Sequence, residues 1–206
     1  MDNIKWIFFD IGSTLVDETE CYKKRFEEAV KNTDIPYEEI ENKVIEFSKR
    51  NLKGDHEAVK YYNLSLPKWH NELEILYPEA KSVLKKLKEK GFKLGIIANQ
   101  SLGTKERLRS RGILKYFDVV AASAEEGVAK PDLKLFEAAL KRAECKPQNT
   151  AMVGDRLDND IVPAHKIGMK TIWIKQGFSK YSTPKNESEK ADFVVDNLNK
   201  ILDIFI

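Results

Sequence analysis

Three polar residues stand where apolar segments end, a fourth comes from a loop, and their types suggest one piece of chemistry. Asp10 closes the run Lys5-Trp6-Ile7-Phe8-Phe9, Asn99 follows Ile96-Ile97-Ala98, and Asp155 follows Val153-Gly154. Lys130 comes from the stretch Gly127-Val128-Ala129-Lys130-Pro131-Asp132. Two carboxylates and an ammonium at one edge of a sheet make a site for Mg²⁺ and an anionic substrate. Hard, oxygen-seeking Mg²⁺ takes one or two carboxylates and keeps several waters. The lysine would hold a nucleophilic carboxylate and neutralise phosphoryl oxygens as a point charge. Each residue also has a plainer reading. Asp10 and Asp155 suit turns, Asn99 can shape the turn after its strand, Lys130 can precede a helix start, and Asp158 suits an N-cap. The chemical reading rests on their joint occurrence in this order.

The elements needed to gather these groups are legible in the apolar pattern. A buried strand delivers Asp10 into the loop Ile11-Gly12-Ser13-Thr14, and in an open α/β sheet ligands bind at that carboxyl edge. From Pro78 onward the pattern alternates. Helices are predicted from Pro78 to Gly91, over Thr104–Arg111, Pro131–Ala143 and Asp158–Ile167, and at the end over Asn197–Phe205. Strands are predicted over Lys93–Ala98, Asp118–Ala122, Thr150–Val153, Lys170–Ile174 and Asp192–Val195. Such alternation implies an α/β fold, with a parallel sheet covered on both faces.

Between Asp17 and Tyr77 the periodicity is helical and no strand is expected. Tyr22, Phe26, Ala29 and Val30 form one apolar stripe, and Tyr37, Ile40, Val44 and Phe47 another. This block reads as a helical insert above the sheet edge. Its aromatics, Tyr37, Phe47, Tyr61, Tyr62 and Trp69, read mostly as core, and His70 as structural. The Lys/Ser/Glu-rich piece Ser179–Lys190 reads as a surface loop.

Size and charge narrow the class. The 206 residues suffice for one substantial domain carrying a small insert. With 35 basic against 33 acidic residues, nothing argues for a nucleic-acid or anionic-membrane partner. The charged amino terminus is no signal peptide, and no apolar run reaches membrane-spanning length. Cys21 and Cys145 have no CxxC pattern and read as reduced thiols, so a cytoplasmic protein is expected. Nothing in the sequence specifies an oligomeric state.

Taken together, the stretches Phe8–Leu15, Ile96–Asn99, Gly127–Asp132, and Gly154-Asp155 with Asp160 resemble the haloacid dehalogenase superfamily of hydrolases. The resemblance covers essentially the whole chain. It implies a Rossmann-like core over 1–16 and 78–206, and a helical cap of the first type over 17–77. It also implies that Asp10 attacks phosphorus, giving an aspartyl-phosphate that water hydrolyses, with Mg²⁺ offsetting charge. On the matched positions, Asp10 and Lys130 are catalytic. Ala98, Asn99 and Lys130 bind the phosphoryl group. Asp10, Gly12 through its carbonyl, Asp155 and Asp160 form the metal site, with Asp160 holding the lysine or a metal-bound water.

Two positions depart from that pattern. Gly12 stands where phosphatases of the superfamily carry an acid/base aspartate, two residues after the nucleophile. Ala98 replaces the usual Ser or Thr, leaving the backbone N–H groups around Asn99, and its side chain, to bind the phosphoryl group. Loss of a positioned acid/base costs ~10²–10⁴ in rate. The expectation is a Mg²⁺-dependent hydrolase of a small phosphorylated metabolite, slow on alkyl phosphates and better on aryl or acyl phosphates. Gly12→Asp is then expected to raise activity. Asp17 and Glu18 are the nearby carboxylates that would substitute. Lys49 and Lys53 would serve instead if the chain were a Schiff-base phosphonatase; retained Asp155 argues against a metal-free dehalogenase. The rival is a catalytically silent relative that binds a phospho-ligand or a protein partner.

Overall fold

Alternation along the first strand, β1 (Trp6–Phe9), sets the layers. Successive side chains of a strand point to opposite faces. Ile7 and Phe9 therefore enter one apolar core, and Phe8 enters another. The computed structural model describes residues 3–206; Met1 and Asp2, at the start of the predicted core, lie outside that range. After β1 come β2 (Val16–Asp17), α1 (Thr19–Val30), α2 (Tyr37–Lys49), α3 (Gly54–Tyr61) and β3 (Ile75–Leu76). The alternating part follows as α4 (Ala80–Glu89), β4 (Lys93–Ala98), α5 (Thr104–Ser110), β5 (Val119–Ala122), α6 (Ser123–Glu126) and α7 (Leu133–Ala143). It ends with β6 (Thr150–Gly154), a π-helical turn (Leu157–Ile161), α8 (Val162–Ile167), β7 (Lys170–Ile174), β8 (Phe193–Val195) and α9 (Asn199–Phe205).

The main sheet is six-stranded, in the order β5-β4-β1-β6-β7-β8. All its pairings are parallel, so the α/β, Rossmann-like reading holds. On one face α4 and α9 supply Val83, Leu84, Leu87 and Ile201 against Ile7, Phe9, Leu94, Ile96 and Val153. On the other, α7 and α8 supply Leu135, Phe136, Ala139 and Ala164 against Phe8, Ile97 and Met152. Strand order reverses beside β1, which has β4 on one side and β6 on the other. That central position carries Asp10 to the crevice where open parallel sheets bind ligands.

Several boundaries differ from the sequence reading, each for a local reason. Helix α7 begins at Leu133 rather than Pro131, because the Asp132 carboxylate accepts the Lys134 N–H at 2.9 Å as an N-cap. Asp158 is not the N-cap of its helix. It lies inside the π-helical turn, with its carboxylate paired to the Arg156 guanidinium at 2.9 Å and 2.5 Å. The segment Asp17–Tyr77 is not free of strand either. Asp17 pairs with Ile75, and Val16 with Leu76, in an antiparallel two-residue ladder. Strands so short show no period, which is why the sequence hid them.

Helices α1 to α3 enclose their own core of Phe26, Ile40, Val44, Phe47, Ala58 and Val59. The stretch Ser179–Lys190 does more than cover surface. It ties these helices to the sheet layer through Ser182 Oγ to Ser48 O at 3.1 Å and Lys185 Nζ to Arg50 O at 2.6 Å. No helix among the described residues is long and apolar enough to cross a membrane.

Candidate active site

Asp10 and Asp155 directly follow the carboxyl ends of β1 and β6, Asp160 lies in the π-helical turn after β6, and Lys130 comes from the segment between α6 and α7. Lys130 Nζ donates to Asp10 Oδ1 at 2.6 Å, to Asp160 Oδ1 at 2.6 Å and to the Ile97 carbonyl at 3.0 Å. All three ammonium protons are therefore used, and the side chain is almost fully buried. Burial works to lower its pKa, but the charges of Asp10 and Asp160 and the hydrogen bonds to them outweigh this. The ammonium is held above the usual lysine value. Asp160 also accepts the Arg156 N–H at 3.0 Å through Oδ2. A Cβ on Gly154 would run into the Asp160 carboxylate, so glycine is what lets that group approach the strand end.

Asp155 completes the acidic face. Its Oδ2 accepts from Ser179 Oγ at 2.7 Å, and its carbonyl accepts from Trp173 Nε1 at 2.6 Å. Asp10, Asp155 and Asp160 each offer a carboxylate oxygen within 4.8 Å of the others. Burial, then the charges of Asp160 and Asp10, raises the Asp155 carboxyl well above its ordinary range. Three carboxylates against one ammonium leave excess negative charge in a buried place. That donor set, all hard oxygen, fits a divalent cation such as Mg²⁺.

The gap at Gly12 is occupied. A Cβ built on Gly12 would fall 2.9 Å from both Cδ and Oε2 of Glu18, and closer still to Oε1. Ser13, in the left-handed region at φ 50°, donates its hydroxyl to Glu18 Oε2 at 2.8 Å. Burial, with the nearby charges of Glu74, Asp10 and Asp55, raises the Glu18 carboxyl to about 8 against the opposing Ser13 hydrogen bond. Asp17 is occupied elsewhere, accepting from Thr19 N at 2.9 Å and Thr19 Oγ1 at 2.6 Å.

Glu18, Asp10, Gly12, Asn99, Lys130, Asp155 and Asp160 all line one cavity of about 500 Å³. Helices α1 to α3 and the segment after them supply its other wall, including Tyr22, Arg25, Lys53, His56 and Trp69. Arg25 is held by Asp55 at 2.8 Å and stacks over Trp69 at 4.5 Å. Of the five aromatics Tyr37, Phe47, Tyr61, Tyr62 and Trp69, Trp69 is on this wall and the other four are not; Tyr61 is 61% exposed. Lys49 is not on it. His70 bridges Glu28 and Glu72 instead.

Two predicted phosphoryl contacts are engaged differently. Ala98 is fully buried and does not line the cavity. The Asn99 carboxamide is committed to the Lys130 backbone, donating to its carbonyl at 2.9 Å and accepting its N–H at 2.7 Å. The Gln100 N–H is likewise given to Ser123 Oγ at 3.0 Å. Asn99 thus fixes the loop that presents Lys130. Sequence reasoning missed Ser179, whose only signal was its place in a polar loop.

Comparison with known proteins shows the family. Residues 7–174 match the family described as haloacid dehalogenase-like hydrolase. A glyceraldehyde 3-phosphate phosphatase of Methanocaldococcus jannaschii is 35% identical, over 98% of this chain and 96% of that protein. One from Pyrococcus furiosus is 32% identical, over 99% and 94%. Among solved structures, a HAD phosphatase from Thermococcus onnurineus superposes with a TM-score of 0.67 at 25% identity, covering 98% of each chain.

Proposed function

The chain belongs to the haloacid dehalogenase-like hydrolases, and we propose that within them it is a Mg²⁺-dependent phosphatase of a small phosphorylated metabolite. The reading divides the chain into a catalytic core, 1–16 and 78–206, and a substrate-selecting cap, 17–77. One observation carries it: Lys130 joins Asp10 to Asp160 at 2.6 Å on each side, facing the cavity that Asp155 also lines. Among the described residues no donor is bonded to Asp10 Oδ2, which makes it the oxygen to attack phosphorus in this reading, and Lys130 is the fixed positive charge for the phosphoryl group.

In this mechanism Asp10 Oδ2 attacks phosphorus, the bond to the leaving oxygen breaks, and an aspartyl-phosphate forms. Water then attacks phosphorus, releasing phosphate and restoring the Asp10 carboxylate. Lys130 holds Asp10 in line and offsets charge on the phosphoryl oxygens. Asp160 keeps Lys130 charged and aimed. Mg²⁺, when held by Asp10, Asp155 and Asp160 with the Gly12 carbonyl, supplies the charge that lets an anionic nucleophile approach an anionic phosphate. A cavity of about 500 Å³ suits a small metabolite, and the phosphatase names of the full-length relatives point to the same class.

The test is turnover of a phosphate-ester panel with and without Mg²⁺, alongside intact mass after incubation with acetyl phosphate. Mg²⁺-dependent release and an adduct lost in Asp10→Asn support the reading. Ligand binding with neither turnover nor adduct would instead favour the silent phospho-ligand binder.

A further inference from the structure

We infer that Glu18 is the proton-transfer residue of this site, its carboxyl standing in the space that Gly12 leaves open. The inference rests on the phosphatase reading above and deepens it. Its observations are geometric. The Glu18 carboxyl carbon lies 2.9 Å from where a side chain at position 12 would begin, so a side chain there would displace this carboxyl from the space it fills. Glu18 stands at the N-cap position of α1, yet its side chain makes no capping hydrogen bond. It turns instead toward Ser13 at 2.8 Å and lines the same cavity as Asp10. The capping work at that helix start is done by Asp17. A carboxyl released from capping, held by the Ser13 hydroxyl and lining the cavity that Asp10 lines, is placed as an acid/base needs to be.

The location also links chemistry to the cap. Glu18 directly follows β2, the strand by which the chain leaves the sheet layer, and β2 pairs with the returning β3. The carboxyl is thus delivered from the junction, while the nucleophile is delivered from the sheet.

The steps balance. As Asp10 Oδ2 forms its bond to phosphorus, the phosphorus–oxygen bond to the leaving group breaks, and the Glu18 carboxyl gives its proton to the departing alkoxide oxygen. The Glu18 carboxylate then takes a proton from water as the water oxygen bonds to phosphorus. The phosphorus–oxygen bond to Asp10 breaks, releasing phosphate and restoring both carboxyl groups to their starting forms. The space beside Gly12 therefore does not condemn the protein to weak activity on alkyl phosphates.

The experiment compares wild type, Glu18→Gln and Gly12→Asp/Glu18→Ala on glycerol phosphate and p-nitrophenyl phosphate with Mg²⁺ present. Glu18→Gln is expected to lose ~10²–10⁴ in kcat/KM on glycerol phosphate. On p-nitrophenyl phosphate, whose leaving group needs no proton, it should give a burst of nitrophenolate and then stall, with the Asp10 adduct visible by intact mass. Returning the carboxyl to position 12 in the double variant should restore alkyl turnover. Equal losses on both substrates without a burst, in protein that melts like wild type, would overturn the inference. So would failure of the folded double variant to recover activity, should Glu18→Gln not fold. If wild type neither turns over nor forms an adduct, the phosphatase reading itself falls, and that outcome is distinct from the others.

Discussion

Replacing Lys130 by methionine tests the centre of the site through stability alone. The substitution keeps a comparable apolar volume but removes an ammonium that touches two carboxylates at 2.6 Å each. At an effective dielectric of about 20, each contact carries a gross Coulomb term of ~6 kcal/mol, before desolvation is set against it. Breaking such a buried arrangement by removing one partner costs a net ~3–5 kcal/mol. For a chain of this length that corresponds to a fall in Tm of ~6–20 °C. The loss should depend on pH with a definite sign. Asp160, left buried without its ammonium, has its folded pKa raised further above the unfolded value by burial. The penalty is therefore absent below the unfolded pKa and grows as pH rises through the folded one. Thermal melts in EDTA at pH 5 and pH 8 should show the larger loss at pH 8, and saturating Mg²⁺ should recover part of it. A loss below ~1 kcal/mol, or one equal at both pH values, would refute the reading of Lys130 as the charge that keeps these carboxylates buried.

Asp155→Asn should weaken Mg²⁺ binding, read as a smaller Mg²⁺-induced rise in Tm, while leaving the melt in EDTA unchanged or higher, because a buried like-charge repulsion is relieved. Phe136→Ala, in a fully buried site between α7 and the sheet, should cost ~3–5 kcal/mol in urea denaturation with no change in KM. His70 has its pKa raised by hydrogen bonds to Glu28 and Glu72, so its contribution is complete below the unfolded value near 6.5 and fades as pH rises through the folded pKa. The difference in Tm between wild type and His70→Gln should accordingly be larger at pH 6 than at pH 9. Gly12→Asp alone, expected from the sequence to raise activity, should now give no gain, because its side chain displaces the flexible Glu18 carboxyl and so exchanges one acid/base for another; a folded single variant faster than wild type on glycerol phosphate would mean that Glu18 was not doing that work.

The residues that the sequence identified by itself are those whose place depends on local pattern. Asp10 and Asp155 end apolar strands, and a strand end in a parallel sheet is a fixed address, so their convergence followed from alternation of strands and helices. The absence of a proton carrier at Gly12 was equally legible, since glycine has no side chain wherever it sits. What fills that absence was not. Glu18 and Asp17 are adjacent carboxylates of similar chemistry, and only the left-handed turn at Ser13 and the β2–β3 pairing decide which one faces the cavity and which caps α1. Ser179 reaches Asp155 across 24 residues of chain, and Asn99 spends its amide on Lys130 across 31. Periodicity encodes which face of an element is buried, but where a loop side chain points is settled by the packing of distant segments, and that information exists only once the chain has folded.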